Sequence, residues 1–213
     1  MKKLFILLTA CATLGLAGCA NRPVSFPVQD PDMRSILIVP VVNESHEVLA
    51  GNLMLSTMSW PLAERGYYTF PVNTVKFVCE QEGWYEPEKV HELEPTKLAN
   101  MFNADAVLYA RVKFWDATYM LVSTKTKITV DYYLYNRAGE KLVERQYTYA
   151  YQPDSSGSIL ADLVVAAIQR AAPDYKPLAN GVNAMMVTNF APGPYLVEKI
   201  QQKIEGEGSK AKE

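Results

Sequence analysis

The chain has 213 residues, of which 49% are hydrophobic and 21% are charged, and its formal net charge is −2. This length and apolar content suffice for one full hydrophobic core. The slightly acidic balance excludes the basic surface on which nucleic-acid binding depends, so we expect no nucleic-acid partner.

Residues 1–18 have the pattern of a secretory signal peptide. Lys2 and Lys3 precede an almost unbroken apolar run from Leu4 to Leu16, which is shorter than the roughly twenty residues that span a bilayer. Leu16-Ala-Gly-Cys19 then resembles the bacterial lipobox, at which cleavage after Gly18 leaves Cys19 carrying acyl chains such as palmitate. An ordinary secreted protein and an uncleaved membrane helix are the alternatives.

Lipidation of Cys19 would attach the chain to a membrane. Several acyl chains on one residue form an anchor that does not release. In lipoproteins of this kind an aspartate after the cysteine usually marks retention at the inner membrane, and Ala20 stands there instead. We therefore expect an outer-membrane protein that faces the periplasm or the cell surface. Residues 19–34 contain three prolines and form a semi-extended tether.

A single domain, residues 35–205, follows the tether and begins with a β-α-β unit. Ser35 to Val42 is a continuous apolar run, typical of a strand buried on both faces, and Pro40 ends or bulges it. The next apolar residues have helical spacing, and Pro61 is expected to kink or split that helix after Ser59. Tyr67 to Val72 predicts a second strand, parallel to the first because such crossovers are right-handed.

Further helices flank the sheet. Asn73 to Glu82 has helical spacing and stops at Gly83, with Cys79 on the buried face as a small hydrophobic residue. Pro95 can begin another helix. Three more are predicted near the carboxyl end, at 158–171, 178–190 and 196–204, and residues 206–213 are expected to form a disordered tail.

From Ala104 the apolar period changes to two, which predicts three antiparallel strands: Ala104–Trp115, Met120–Tyr135 and Glu140–Tyr151. Asn136 to Gly139 forms the turn between the last two. In the first strand Phe114 shares the row of Ala106 and Leu108, and Trp115 lies on the opposite row. The result is an α/β fold with a mixed five-stranded sheet, parallel at its start and an antiparallel meander at its end.

The residue pattern does not indicate catalysis. His46 and His91 are interpreted as solvated side chains, since no spacing resembles a metal motif. The glutamates around them are interpreted as a solvated acidic surface, and serine and cysteine nucleophile motifs are absent from the sequence. We expect no enzyme activity, no metal and no cofactor.

Aromatic residues supply the candidate binding sites. Tyrosines cluster on the last two predicted strands, where cross-strand pairing stabilises a sheet. In rows that face solvent they form a surface of the kind enriched at protein interfaces. Trp84, beside an acidic stretch, is a second candidate. The predicted partner-binding residues are Tyr133, Tyr135, Tyr147, Tyr149 and Trp84.

Several motifs together resemble a family of bacterial lipoproteins catalogued as domain of unknown function 799. They are the lipobox, the proline-bearing tether, the strand ending in Val39-Pro40, and the three stretches Met58-Ser-Trp-Pro-Leu-Ala-Glu-Arg-Gly-Tyr-Tyr68, Asn103-Ala-Asp-Ala-Val-Leu-Tyr109 and Pro192-Gly-Pro-Tyr195. The resemblance implies a three-layer α/β domain like the amino-terminal domain of TolB. It also implies a gene neighbourhood with a curli-channel-like protein, and it supplies no catalytic residue.

Three functional hypotheses follow. The first is a non-enzymatic outer-membrane lipoprotein that acts as an accessory subunit of a curli-channel-like envelope or secretion complex by binding protein. The second is a lipoprotein regulator of a peptidoglycan synthase, which the short tether disfavours. The third is a periplasmic small-ligand binder or enzyme.

Overall fold

A computed structural model describes residue 30 and residues 32–119, 124–151, 175–188 and 190–210. The predicted signal peptide, Cys19, most of the tether and the predicted helix at 158–171 lie outside these residues. The described elements are β1 (Ser35–Ile38), β2 (Val42–Asn43), α1 (Ala50–Glu64), β3 (Tyr68–Thr69), α2 (Val72–Gln81), α3 (Pro87–His91), α4 (Pro95–Phe102), β4 (Ala106–Tyr119), β5 (Thr124–Asn136), β6 (Lys141–Tyr151), α5 (Lys176–Val187) and α6 (Pro194–Lys210).

The strands form one mixed sheet in the order β3-β1-β4-β5-β6, with β2 also paired to β4. β1 runs parallel to both β3 and β4, and β2 continues its line along β4 at Arg111 and Val112. Pro40 lies between β1 and β2 and interrupts the ladder, as predicted. The six strands therefore occupy five positions, and the antiparallel meander of β4, β5 and β6 completes the mixed α/β sheet.

Two hydrophobic clusters lie on opposite faces of the sheet, which makes the fold three-layered. Ile36 and Ile38 of β1 point into the cluster under α1 and α5. Leu37 and Val39 point into the cluster under α2, α3 and α4. Alternate residues of one strand thus face different helical layers, the pattern of a strand buried on both faces. Cys79 is fully buried in the second cluster, as predicted.

The expected rows of β4 are correct up to Val112 and wrong beyond it. A bulge between Val112 and Phe114 shifts the register, and Trp115 then pairs with Ile128. Trp115 is consequently buried against the α1 and α5 layer, whereas Phe114 is 43% exposed on the other face. One extra residue in a strand reverses the faces of all the residues that follow.

The predicted split of this helix after Ser59 is also wrong, because α1 runs through Pro61 to Glu64. The helix needs only one further turn beyond the proline, and the Arg65 amide closes that turn on the Pro61 carbonyl at 3.1 Å. At the carboxyl end, α6 continues through Gly206 to Lys210, within the region expected to be disordered.

A buried polar chain joins the sheet to α5 and α1. The Tyr132 hydroxyl donates to Asn183 Oδ1 at 2.7 Å, and Asn183 Nδ2 donates to Thr57 Oγ1 at 2.9 Å. Tyr132 and Asn183 have no exposed surface, so each polar atom depends on its neighbour for hydrogen bonding. This chain fixes how the two helices sit on the sheet.

Candidate functional site

Two of the predicted tyrosines line a cavity of about 380 Å³ on the face of the sheet that carries α3 and α4. Its walls come from β4, β5 and the segment that joins α3 to α4. We call it the tyrosine cavity, and the residues that shape it most are His91, Glu94, Tyr109, Arg111, Tyr133 and Tyr135. Period-two alternation places Tyr109 beside its cross-strand partner Tyr133, with Tyr135 next along β5.

Three rings form the inner wall of the tyrosine cavity. Tyr109 meets the His91 ring edge to face at 5.1 Å and the Tyr135 ring at 5.7 Å. The Tyr109 hydroxyl donates to the Leu93 carbonyl at 3.3 Å, which holds the α3–α4 segment against the sheet. Burial raises the pKa of Tyr109. It also raises the pKa of Tyr133, which is the less buried of the two. Both phenols stay protonated at neutral pH; Tyr109 donates its proton to Leu93, and Tyr133 presents a hydrogen-bond donor.

The expectation that His91 is solvated is wrong. Its Nε2 lies 2.9 Å from the Pro40 carbonyl oxygen, and because a carbonyl only accepts, Nε2 carries the proton. Burial is the main cause that lowers the pKa of His91 to about 4, opposed by the Pro40 contact and assisted by the nearby Arg111 charge. His91 is therefore neutral at physiological pH. His46 is exposed, as expected.

One charged residue that lines the tyrosine cavity is Arg111, which is ion-paired. Arg111 Nη1 lies 2.5 Å from Glu44 Oε1, and Lys113 binds the other carboxylate oxygen of Glu44. Hydrogen bonds from Lys113 and then Arg111 lower the pKa of Glu44. The loop after β2 is thus tied to β4, and Arg111 retains its position beside the cavity.

Beyond the tyrosine cavity the same sheet face carries a solvent-exposed row of polar residues. Cross-strand bonds connect its side chains: Thr129 to Thr148 at 3.0 Å and Gln146 to Asp131 at 2.8 Å. Lys127 Nζ lies 5.6 Å from the Phe114 ring centroid. We call this surface the open face, and it comprises Phe114, Lys127, Thr129, Asp131, Gln146 and Thr148.

Tyr147 and Tyr149 lie on the opposite side of the sheet from Tyr133 and Tyr135. They pair with Val130 and Ile128, which belong to the cluster under α1 and α5. The Tyr149 ring packs so closely on α5 that a Cβ at Gly181 would lie 2.3 Å from it. The four predicted tyrosines therefore do not form one surface, and these two are half-buried under a helix.

Trp84 lines a second cavity, of about 320 Å³, at the carboxyl ends of β1 and β2. Lys97 Nζ lies 4.7 Å from the centroid of the Trp84 ring. Tyr85 is 71% exposed at the rim. Pro40 lines this Trp84 cavity and accepts the His91 hydrogen bond, so the two cavities share a wall.

Tyr109 is an aromatic residue of a predicted strand, whereas no local sequence pattern places His91 or Arg111 in a cavity. His91 depends on a contact with Pro40 across 51 residues, and Arg111 depends on Glu44 across 67. Among the described residues there is no group of three or more histidine, cysteine, aspartate or glutamate side chains placed to hold a metal ion. In the same part of the chain, no helix combines the length and the apolar character needed to cross a membrane.

Comparison with known proteins supplies the family. Residues 27–190 match the family described as "Putative lipoprotein GNA1162-like". Lipoprotein NMB1124/NMB1162 of Neisseria meningitidis serogroup B is 31% identical over 170 residues, which cover 76% of this chain and 78% of the relative.

One solved structure supports this assignment. The crystal structure of lipoprotein GNA1162 from Neisseria meningitidis is similar with a TM-score of 0.53 and 32% identity, covering 66% of this chain and 99% of that chain. The PelC dodecamer from Paraburkholderia phytofirmans is 14% identical with a TM-score of 0.47, covering 80% of this chain and 97% of that chain. The family match spans most of the chain and confirms the resemblance seen in the sequence. The chain belongs to the GNA1162-like lipoprotein family.

Proposed function

We propose that this protein is a non-enzymatic outer-membrane lipoprotein, anchored through Cys19, that serves as an accessory subunit of a curli-channel-like envelope or secretion complex. It binds its protein partner through the tyrosine cavity and the open face. The observation that carries this proposal is their continuity: Tyr133 lines the cavity, and Asp131 and Thr129 follow it along β5 on the same face.

The chemistry of this combined surface suits protein recognition. Protein interfaces concentrate aromatic residues at their centre and polar groups at the rim. Here Tyr109, Tyr133 and Tyr135 form a recess, and the open face supplies charges of both signs with its own cross-strand hydrogen bonds. A partner could insert one apolar side chain into the recess and meet Asp131 and Lys127 around it.

Binding is favoured over catalysis by the state of the titratable groups in the cavity. His91 is neutral and already donates to Pro40, so its proton is engaged in holding the chain together. Arg111 is engaged by Glu44. These groups position backbone and loops, whereas a general acid or base must meet its substrate directly.

A pull-down tests the proposal. The full-length chain with a carboxyl-terminal tag is expressed in its native bacterial host. The envelopes are then mildly cross-linked and solubilised in detergent. The test variant is Tyr133→Ser with Thr129→Arg. The matched control is Ser56→Arg, on the exposed surface of α1, and Cys19→Ala should release the protein from the membrane.

We expect a channel-like envelope protein to be recovered with the wild type and with Ser56→Arg, and to be lost with the double variant. Equal recovery with all three would refute the interface. Recovery of a peptidoglycan synthase would refute the partner class. Retention of Cys19→Ala in the membrane would refute the anchor.

A small-ligand binder is a second candidate, favoured by the volume of the tyrosine cavity, which lies in the range of about 300–1,000 Å³ usual for ligand sites. In that case, a fraction of small molecules from the envelope should raise the melting temperature of the wild type and leave that of Tyr133→Ser unchanged. A shift equal in both proteins would exclude this cavity as the binding site.

A further inference from the structure

α6 carries an apolar stripe that the described part of the domain leaves exposed. Val197, Ile200 and Ile204 are 40%, 49% and 65% exposed. Spacings of three and four residues place them on one face of the helix. Gln202 lies on the opposite face, and Lys203 lies beside the stripe. Exposed rows of this kind usually mark a surface that another apolar phase covers.

The first turn of α6 is fixed where the tether joins the domain. Arg34, the residue before β1, pairs with Glu198 at 3.0 Å, and its guanidinium lies 5.8 Å from the centroid of the Tyr195 ring. Leu196 packs so closely on the chain that a Cβ at Gly66 would lie 2.4 Å from the Leu196 Cβ. The start of α6 therefore sits beside the segment that leads to Cys19.

We propose that the apolar stripe of α6 lies on the lipid surface to which the chain is anchored. This inference rests on the proposed anchor at Cys19. Fourteen residues, 20–33, separate Cys19 from Arg34. At about 3.3–3.6 Å per extended residue they keep α6 within about 50 Å of the anchor. A tether of this reach gives the helix a high effective concentration at the membrane, so a weak apolar contact is sufficient.

The chemistry of the helix fits a lipid surface better than a second copy of the chain. A standard protein interface uses about 20–30 residues on each side, whereas this stripe has three on one helix. A bilayer needs no complementary shape.

Docking of α6 would orient the whole domain. β1 starts beside Arg34, and its line continues through β2 to Asn43, which lines the Trp84 cavity. With the amino end of β1 held at the membrane, the carboxyl ends of β1 and β2 face away from it. The Trp84 cavity would then lie on the side of the domain remote from the lipid.

Hydrogen exchange tests the proposal on the mature chain, residues 19–213. Cys19 is coupled to vesicles of phosphatidylethanolamine and phosphatidylglycerol that contain a maleimide lipid. Cys79 is fully buried and burial raises the pKa of its thiol, so Cys19 is the reactive site. The reference is the same chain with Cys19 capped, free in solution and at several concentrations.

We expect amides from Ile200 onward to exchange about tenfold more slowly on vesicles than in solution. The variant Ile200→Glu with Ile204→Glu should lose this protection, and Gln202→Glu should keep it. Equal exchange rates on vesicles and in solution would overturn the proposal. Protection that rises with concentration in solution and disappears in the double variant would overturn it in favour of a second copy. Cys19 is coupled to the vesicles chemically, so the hydrogen-exchange result does not depend on lipidation in cells. A failure of lipidation in cells would refute only the proposed anchor.

Discussion

Leu37 and Val107 lie under the helices α2 to α4 and have no exposed surface, whereas Phe114 and Thr129 lie further along the same face of the sheet and meet solvent. The covered region contributes apolar burial, and the open region has polar pairs that contribute little to folding. The tyrosine cavity lies at the border between them. Folding does not require the open region, so its surface is available for binding. We place the partner-binding surface at this border.

The largest effect should come from the covered region. Replacing Leu37 with alanine removes buried methyl groups and leaves a cavity, so the free energy of unfolding should fall by about 3 kcal/mol. Phe114→Ala, on the open face, should cost less than about 1 kcal/mol. Denaturant titration measures both. Similar losses for the two variants would remove the distinction between the regions.

The border residue His91 should make stability depend on pH. Its pKa falls from 6.5 unfolded to about 4 folded, because burial disfavours the charged ring. This contribution is fully present above pH 6.5 and is lost as the pH falls toward 4, by about 3 kcal/mol in total. Thermal unfolding at several pH values should show this decline.

The control for this prediction compares the two histidines. His91→Phe should flatten the pH dependence between 6.5 and 4.5, since no ring nitrogen remains to be protonated. His46→Gln, at an exposed position, is the matched histidine substitution. A wild-type melting temperature that stays constant over this range would contradict the buried, neutral His91.

Adjacent tyrosines on opposite faces give a matched test of intermediate size. Tyr132→Phe removes the donor to the buried Asn183 Oδ1 and should destabilise the fold by about 1–3 kcal/mol. Tyr133→Phe, on the half-exposed side, should change stability by less than about 0.5 kcal/mol. Denaturant midpoints of the two variants decide the matter, and a greater loss for Tyr133→Phe would reverse our assignment of faces.

The smallest effect should come from the ion pairs beside the cavity. Glu44→Gln removes the negative charge that pairs with Arg111 and Lys113, which are about one-third exposed, and should cost under about 1 kcal/mol. The loss should shrink further in high salt, where such pairs are screened. A cost that is unchanged by salt would mean that the Glu44 contacts are not mainly electrostatic.

The sequence predicts the architecture well where periodicity is strong. The β1 run, the meander and the turn at Asn136 to Gly139 are confirmed because their patterns are local, and the Gly139 amide closes the turn on the Asn136 carbonyl at 2.9 Å. The exchange of Phe114 and Trp115 could not be predicted, since a bulge adds one residue without changing composition.

The site is less predictable because it depends on register and on distant contacts. A second register shift between Leu134 and Tyr135 pairs Leu134 with Val143 and Tyr135 with Lys141. The pairing of Val130 with Tyr147 places Tyr147 and Tyr149 on the face of Tyr132, opposite Tyr133 and Tyr135. The burial of His91 follows from packing against Pro40 and Tyr109, which local sequence does not encode.

Photo-cross-linking in living cells tests whether the open face binds a protein partner. A benzoylphenylalanine in place of Gln146, on the open face, is compared with one in place of Ser56 on α1, both positions being exposed. We expect the probe at position 146 to link to one envelope protein and the probe at position 56 to form no such link. The absence of any link at position 146, or the same link from both positions, would contradict binding through the open face.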